Sequence, residues 1–202
     1  MANKAIKYRL YPTTEQAVVF AKTFGCCRKI WNLMLADKVK SYEKTKTFGK
    51  QTPAMYKKDY PYLKEVDSLA LANVQLHLQQ AMKNCFSRKH CNFPKFKSGK
   101  HSKKSYTTNN QKGTITVFEK AIKLPKVGMV KAVIHRKADS DWKVKSATIT
   151  RDSQGYYYAS ILYEYEVVHI QQTEQFENAI GLDYKSDGLY MDSNGNMGTN
   201  HK

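Results

Sequence analysis

The chain has 202 residues, with 34 Lys and Arg against 17 Asp and Glu, for a formal charge of +17. A field of that sign collects polyanions, so nucleic acid is the first partner to consider and an anionic membrane surface the second. No apolar run approaches the roughly 18 residues of a membrane span, and Met1 to Lys7 lacks the apolar core of a signal peptide, so a soluble cytoplasmic protein without membrane partners is expected.

Lys4 to Tyr11 alternates, with Ala5, Lys7 and Arg9 on one side and Ile6, Tyr8 and Leu10 on the other, which predicts a strand ended by Pro12. Thr13 or Thr14 can cap the helix that follows, and Thr13 with Gln16 has capping-box spacing. From Glu15 to Tyr42 the apolar residues Val19, Phe20, Phe24, Cys27, Ile30, Trp31, Met34, Leu35 and Val39 recur at helical spacing. Gly25 is expected to split or bend this stretch into two helices, a local helix-turn-helix. Lys44 to Gln51 is polar and turn-like; Thr52-Pro53 marks a short helix start, and Pro61 its close. A longer helix is predicted from about Ser68 to Arg88, capped by Asp67 or Ser68, with an apolar stripe of Leu71, Val74, Leu78, Met82 and Cys85 or Phe86. Gln75, Gln79 and Gln80 on that helix read as exposed filler.

After Pro94 the pattern changes. Ser98 to Asn110 is a basic loop or edge strand, and short strands follow at Thr114–Phe118, Ala121–Leu124, Val130–His135, Val144–Thr150 and Tyr156–Glu166, separated by turn residues. Several short strands with frequent turns predict a small antiparallel barrel. The first strand pairs with them, so the helices become an insertion between strands. Val167 to Asn178 reads as a linker, and Ala179–Asp183 with Gly188–Gly195 as a hairpin. The fold class is therefore α+β, divided into a first strand (1–13), a helical lobe (14–92), the rest of the barrel (93–168), and a linker with the start of another domain (169–202).

The charge is unevenly spread. Residues 1–110 hold 22 Lys and Arg against 6 Asp and Glu, whereas residues 111–202 hold 12 against 11. No carboxylate occurs between Asp67 and Glu119, while seven cations, Arg88, Lys89, Lys95, Lys97, Lys100, Lys103 and Lys104, crowd into 17 residues with Phe93 and Phe96 among them. Solubility is served by mixed signs; an acid-free run interleaved with aromatics suits a surface that tracks phosphates. Lys83, Arg88, Lys89, Lys95, Lys97, Lys103 and Lys104 are the candidate backbone contacts. The four cysteines form no C-x-x-C pair, and Cys85, His90, Cys91 and His101 match no standard zinc spacing, so no zinc site is expected.

Several stretches, in this order, resemble the TnpB family, the OrfB proteins of insertion sequences and relatives of type V CRISPR nucleases. They are Tyr8-Arg9-Leu10-Tyr11-Pro12, Phe24-Gly25-Cys26-Cys27-Arg28, Trp31-Asn32, Lys64-Glu65-Val66-Asp67-Ser68, Phe93-Pro94-Lys95-Phe96-Lys97, Ser105-Tyr106-Thr107-Thr108-Asn109-Asn110, Lys123-Leu124-Pro125-Lys126-Val127-Gly128 and Gly181-Leu182-Asp183. The resemblance implies a wedge barrel split by a helical recognition lobe, followed by a RuvC-like nuclease fold. It implies a guide RNA cut from the transposon end and a double-stranded DNA target read beside a short adjacent motif. Phe48, Thr52, Ser68, Leu69, Thr107, Thr108 and Asn109 match the family's motif-reading positions; Phe48 and Leu69 suit a thymine methyl, the Thr and Asn side chains a base edge or phosphate. Asp183 matches the first catalytic carboxylate, which would bind Mg²⁺ with later carboxylates that cannot be assigned in this sequence. Strand cleavage by these 202 residues alone is not expected. The alternative is a truncated, nuclease-dead DNA- or RNA-binding protein such as a repressor.

Overall fold

The structure, a computed structural model, describes residues 1–87, 92–166, 180–184 and 188–199. The chain forms two compact units, Met1–Val167 and Val168–Lys202.

In the larger unit, strand β1 (Ala2–Tyr11) leads into helix α1 (Thr14–Thr45). Thr13 caps that helix with the expected box: Gln16 N–H donates to Thr13 Oγ1 at 3.3 Å and Thr13 N–H to Gln16 Oε1 at 3.1 Å. The expected break at Gly25 does not occur; α1 is one helix of 32 residues. A mid-helix glycine costs only about 1 kcal/mol, and Phe24, Cys26 and Cys27 on either side are all buried against the core. Burying a large apolar side chain contributes about 1.5–3 kcal/mol, so packing outweighs propensity. Two 3₁₀ turns follow, Pro53–Lys57 and Pro61–Lys64. Pro61 was expected to close a helix; it opens the second turn instead, since its fixed φ suits a first helical position. Helix α2 spans Ser68–Ser87.

The remaining strands are β2 (Lys104–Asn109), β3 (Thr116–Val117), β4 (Ala121–Leu124), β5 (Gly128–Val133), β6 (Lys143–Arg151) and β7 (Tyr157–Tyr165). With β1 they form one antiparallel sheet in the order β2-β6-β7-β1-β5-β4-β3. As expected, the first strand joins the late ones: Ile6 pairs Ile161 and Leu10 pairs both Tyr157 and Ala132. The helices are thus inserted between β1 and the other strands.

The sheet is open, where a closed barrel was expected. Its edges, β2 and β3, are not paired with each other. β3 has two residues and bonds only to β4. The chain between the edges is tied by Asn110, whose amide donates to Val144 O at 3.0 Å and whose Oδ1 accepts from Ile115 N–H at 2.9 Å. An apolar cleft of about 430 Å³ lies there, lined by Ile115, Val117, Ile134, Trp142, Val144 and Tyr163 among others.

The helices cover the inner sheet face. Phe20 stacks on Tyr157 with ring centroids 5.4 Å apart, and Phe24 tilts against Tyr106 at 5.7 Å. Tyr8, fully buried in β1, donates its hydroxyl to Arg136 O at 2.9 Å, so its polar tip is satisfied inside the core.

The smaller unit contains β8 (Leu182–Tyr184), β9 (Tyr190–Asp192) and β10 (Met197–Gly198) in a three-stranded antiparallel sheet, one strand more than the expected hairpin. Asn194-Gly195 forms the β9–β10 turn, with Gly195 at φ +85°.

Candidate nucleic-acid interface

Arg28, Trp31 and Asn32 are spaced i, i+3, i+4, so they share one face of α1. The basic segment lies along that face. Trp31 Nε1 donates to Lys95 O at 3.0 Å. Asn32 makes a two-way bond to Lys97, its amide donating to Lys97 O at 2.9 Å and its Oδ1 accepting from Lys97 N–H at 2.8 Å. A side-chain amide pairing with both backbone groups of one residue imitates a β-bridge and fixes extended chain without a neighbouring strand. Pro94, which has no N–H to satisfy, enters this stretch. Lys97 Nζ lies 3.7 Å from the Trp31 ring centroid, a cation–π contact. Lys97 is exposed as a whole residue, yet loss of water at its ammonium lowers its pKa.

Next to this clamp is a cleft of about 190 Å³ between α1, α2 and edge strand β2. Its cationic lining is Arg28, Lys97, Lys103 and Lys104; Phe24, Trp31, Val74 and Tyr106 supply apolar walls, and no carboxylate contributes. His77 lines it too, its pKa lowered by burial and then by the neighbouring Lys97 charge. Burial raises the Cys27 thiol to about 12, so Cys27 is a neutral packing residue in this wall. The tilt of charge seen in the sequence thus becomes a concentrated positive surface lined with flat rings, which suits phosphates and bases.

The predicted positions divide. Lys95, Lys97, Lys103 and Lys104 are exposed and surround the clamp and cleft, and Lys83 is exposed on α2. Arg88 and Lys89 lie outside the described residues, as do His90 and Cys91 of the cysteine–histidine group considered above. Thr52 is exposed at the start of the first 3₁₀ turn. Ser68 is exposed and accepts from Lys57 Nζ at 2.9 Å; Leu69 is half-buried beside it. Phe48 is half-buried in an aromatic group, stacked on Tyr42 at 4.9 Å and tilted against Phe86 at 5.6 Å. Thr107 and Asn109 are half-exposed in β2, and Thr107 shares the cleft with α2. Thr108, expected at a base edge or phosphate, is fully buried instead. Strand alternation turns it inward between Thr107 and Asn109, and its hydroxyl donates to Asp67.

Sequence reasoning missed Asp67 as more than a cap, and missed Arg28, Trp31 and Asn32 as the support of the basic segment. It also passed over a cationic and aromatic patch on the outer sheet face. There the Arg9 guanidinium sits 3.7 Å from the Tyr156 ring centroid and donates to Tyr158 Oη at 3.0 Å, while Lys7 Nζ lies 4.3 Å above Tyr158. The usable signal was the alternation that puts Lys7 and Arg9 on one side of β1, read together with tyrosines two apart at 156 and 158.

In the smaller unit Asp183 is exposed on β8, opposite Met191 of β9. Asp192 is occupied by its turn: it accepts from Asn194 N–H at 2.9 Å, Asn196 N–H at 2.8 Å and the Asn196 amide at 2.9 Å, and these bonds lower its pKa. Among the described residues no three His, Cys, Asp or Glu side chains converge to hold a metal. The described residues therefore do not make up a complete Mg²⁺ site.

A helical layer on an open antiparallel sheet, with a carboxylate-free cationic cleft at the sheet edge, defines an α+β protein whose surface suits a polyanion. The helix-turn-helix domain of the OrfB/IS605 type matches residues 1–47, here β1 and α1. Over 211 residues, 98% of this chain, it is 29% identical to the Streptomyces pristinaespiralis protein named "Putative RNA-guided DNA endonuclease". It is 34% identical over 115 residues to "Virulence protein VsdF" of Salmonella dublin, covering 96% of that protein and 50% of this chain. The chain is thus similar to OrfB/IS605-type proteins in its first 47 residues and to the Streptomyces protein along nearly its whole length. It spans about half the length of the Streptomyces relative. No described helix is long and apolar enough to cross a membrane.

Proposed function

We propose that this chain is the nucleic-acid-binding N-terminal part of a TnpB-like RNA-guided DNA endonuclease. It holds a guide RNA from the transposon end and a DNA duplex beside its target. In this reading β1 and residues 93–168 act as the wedge, residues 14–92 as the recognition lobe, and residues from 169 as the start of a RuvC-like nuclease domain. Protein reads the short adjacent motif through Thr52, Ser68, Leu69, Thr107 and Asn109, with Phe48 at the margin, while base pairing with the guide reads the rest. Lys95, Lys97, Lys103 and Lys104, with Lys83, Arg88 and Lys89, neutralise phosphates. Asp183 is one Mg²⁺ ligand of a carboxylate set that these residues do not complete, so this chain alone binds without cutting.

The observation that carries the reading is the clamp: Trp31 and Asn32 hold the backbone of Lys95–Lys97 on α1, beside a cleft with four cations and no carboxylate. Charge kept only for solubility needs no such support. To test it, the chain is purified from cells carrying its flanking transposon DNA and the co-purifying RNA is sequenced. A single species from the transposon end is expected. Bulk unselected RNA would refute guide binding by this part of the protein.

A further inference from the structure

Asp67 is buried, and neither partner of its carboxylate is a cation. Oδ1 accepts from the Leu69 N–H at 3.1 Å, capping α2, and Oδ2 accepts from the Thr108 hydroxyl in β2, 41 residues away. Burying a carboxylate is costly unless its lone pairs are met, so this one is held where two segments need a common anchor. The segments are those whose neighbours reach solvent: Ser68 and Leu69 on one side of the anchor, Thr107 and Asn109 on the other. Lys57 braces the first from outside through Ser68, and the Thr107–Thr148 hydroxyl pair, 2.8 Å apart, braces the second within the sheet. Each segment is thus braced by a neighbouring element, and the Asp67–Thr108 bond is the polar link that sets one against the other.

We propose that Asp67 is a positioning residue for sequence recognition. Through Thr108 it fixes the spacing between the start of α2 and edge strand β2, so that both segments meet the same stretch of duplex. This rests on the reading above, in which those segments contact DNA. Thr108 acts from inside the fold and never touches the bases.

The test uses the full chain and a pool of duplex DNA with a short randomised segment, sequenced before and after retention. Wild-type protein enriches one motif. Thr108→Val, which keeps shape but removes the donor, and Asp67→Ala lower that enrichment about tenfold, with unchanged affinity for unselected duplex and an unchanged salt slope. Thr108→Ser and Asp67→Asn keep most of it, because Asn can accept from Leu69 and donate to the Thr108 hydroxyl. Equal enrichment by wild type and Thr108→Val, with only a lower melting temperature in the variant, overturns the positioning role and leaves the motif-reading surface standing. A wild-type chain that enriches no sequence overturns both.

Discussion

Asn32→Ala removes the two-way bond to Lys97 and no charge. The lost bonds, 2.9 and 2.8 Å long and both solvent-exposed, contribute about 1–2 kcal/mol together at the low end of the usual range. Trp31 still holds Lys95 O and still faces the Lys97 ammonium, so about one residue of backbone is released rather than the whole segment. Re-ordering one residue on binding costs about 1–2 kcal/mol, which is roughly a 5- to 30-fold loss of affinity. The salt slope stays the same, because every lysine is still present to displace counterions. Fluorescence anisotropy with a labelled single-stranded RNA and a labelled duplex, across a salt series, measures both quantities. A weaker affinity with a parallel salt line is the expected result. Unchanged affinity, with a lowered melting temperature showing that the bonds had been lost, would refute the claim that the clamp prepares this segment for nucleic acid.

Lys95→Ala with Lys97→Ala should reduce the slope of log K against log salt on duplex DNA by about 1.8, two phosphates' worth; an unchanged slope removes both side chains from the interface. Asp183→Ala should leave RNA and duplex binding by this chain unaltered in the same assay, and a large loss would give that exposed carboxylate a role other than metal ligation. Thr13→Ala removes the helix cap and should cost about 1 kcal/mol, lowering the melting temperature by about 2–4 °C; calorimetry showing no shift would mean that Gln16, which also donates to Met129 O at 2.7 Å, holds the helix start unaided.

Local features were legible in the sequence because their partners are close along it. The Thr13–Gln16 box spans three residues and formed as read. Gly25 was misread because its effect depends on the burial of Phe24, Cys26 and Cys27 beside it, Phe24 against Tyr106, which lies 82 residues later. Trp31-Asn32 and Phe93-Pro94-Lys95-Phe96-Lys97 stood out separately, yet nothing local says that one holds the other across 64 and 65 residues. Thr108 was within reach of the sequence: period-two alternation in Lys104–Asn109 sends Thr107 and Thr108 to opposite faces, and Tyr106 marks the inward one. The open seam was not legible, since a string of short strands fits a closed barrel as well as a sheet whose last edge has two residues.

The position of β1 affects how the protein is made. This strand lies between β7 and β5, both later in the chain, and its Tyr8 meets Tyr163 across 155 residues. A contact of that range pays loop-closure entropy before it returns any stability. During translation β1 therefore emerges long before its partners and waits for β7 to complete its pairing, while Phe20 of α1 lacks the Tyr157 ring it will stack on. A message cut short before Tyr157 yields a chain whose central strand keeps only its short pairing with β5 and lacks the long one with β7, a substrate for chaperones and proteases rather than a smaller working domain.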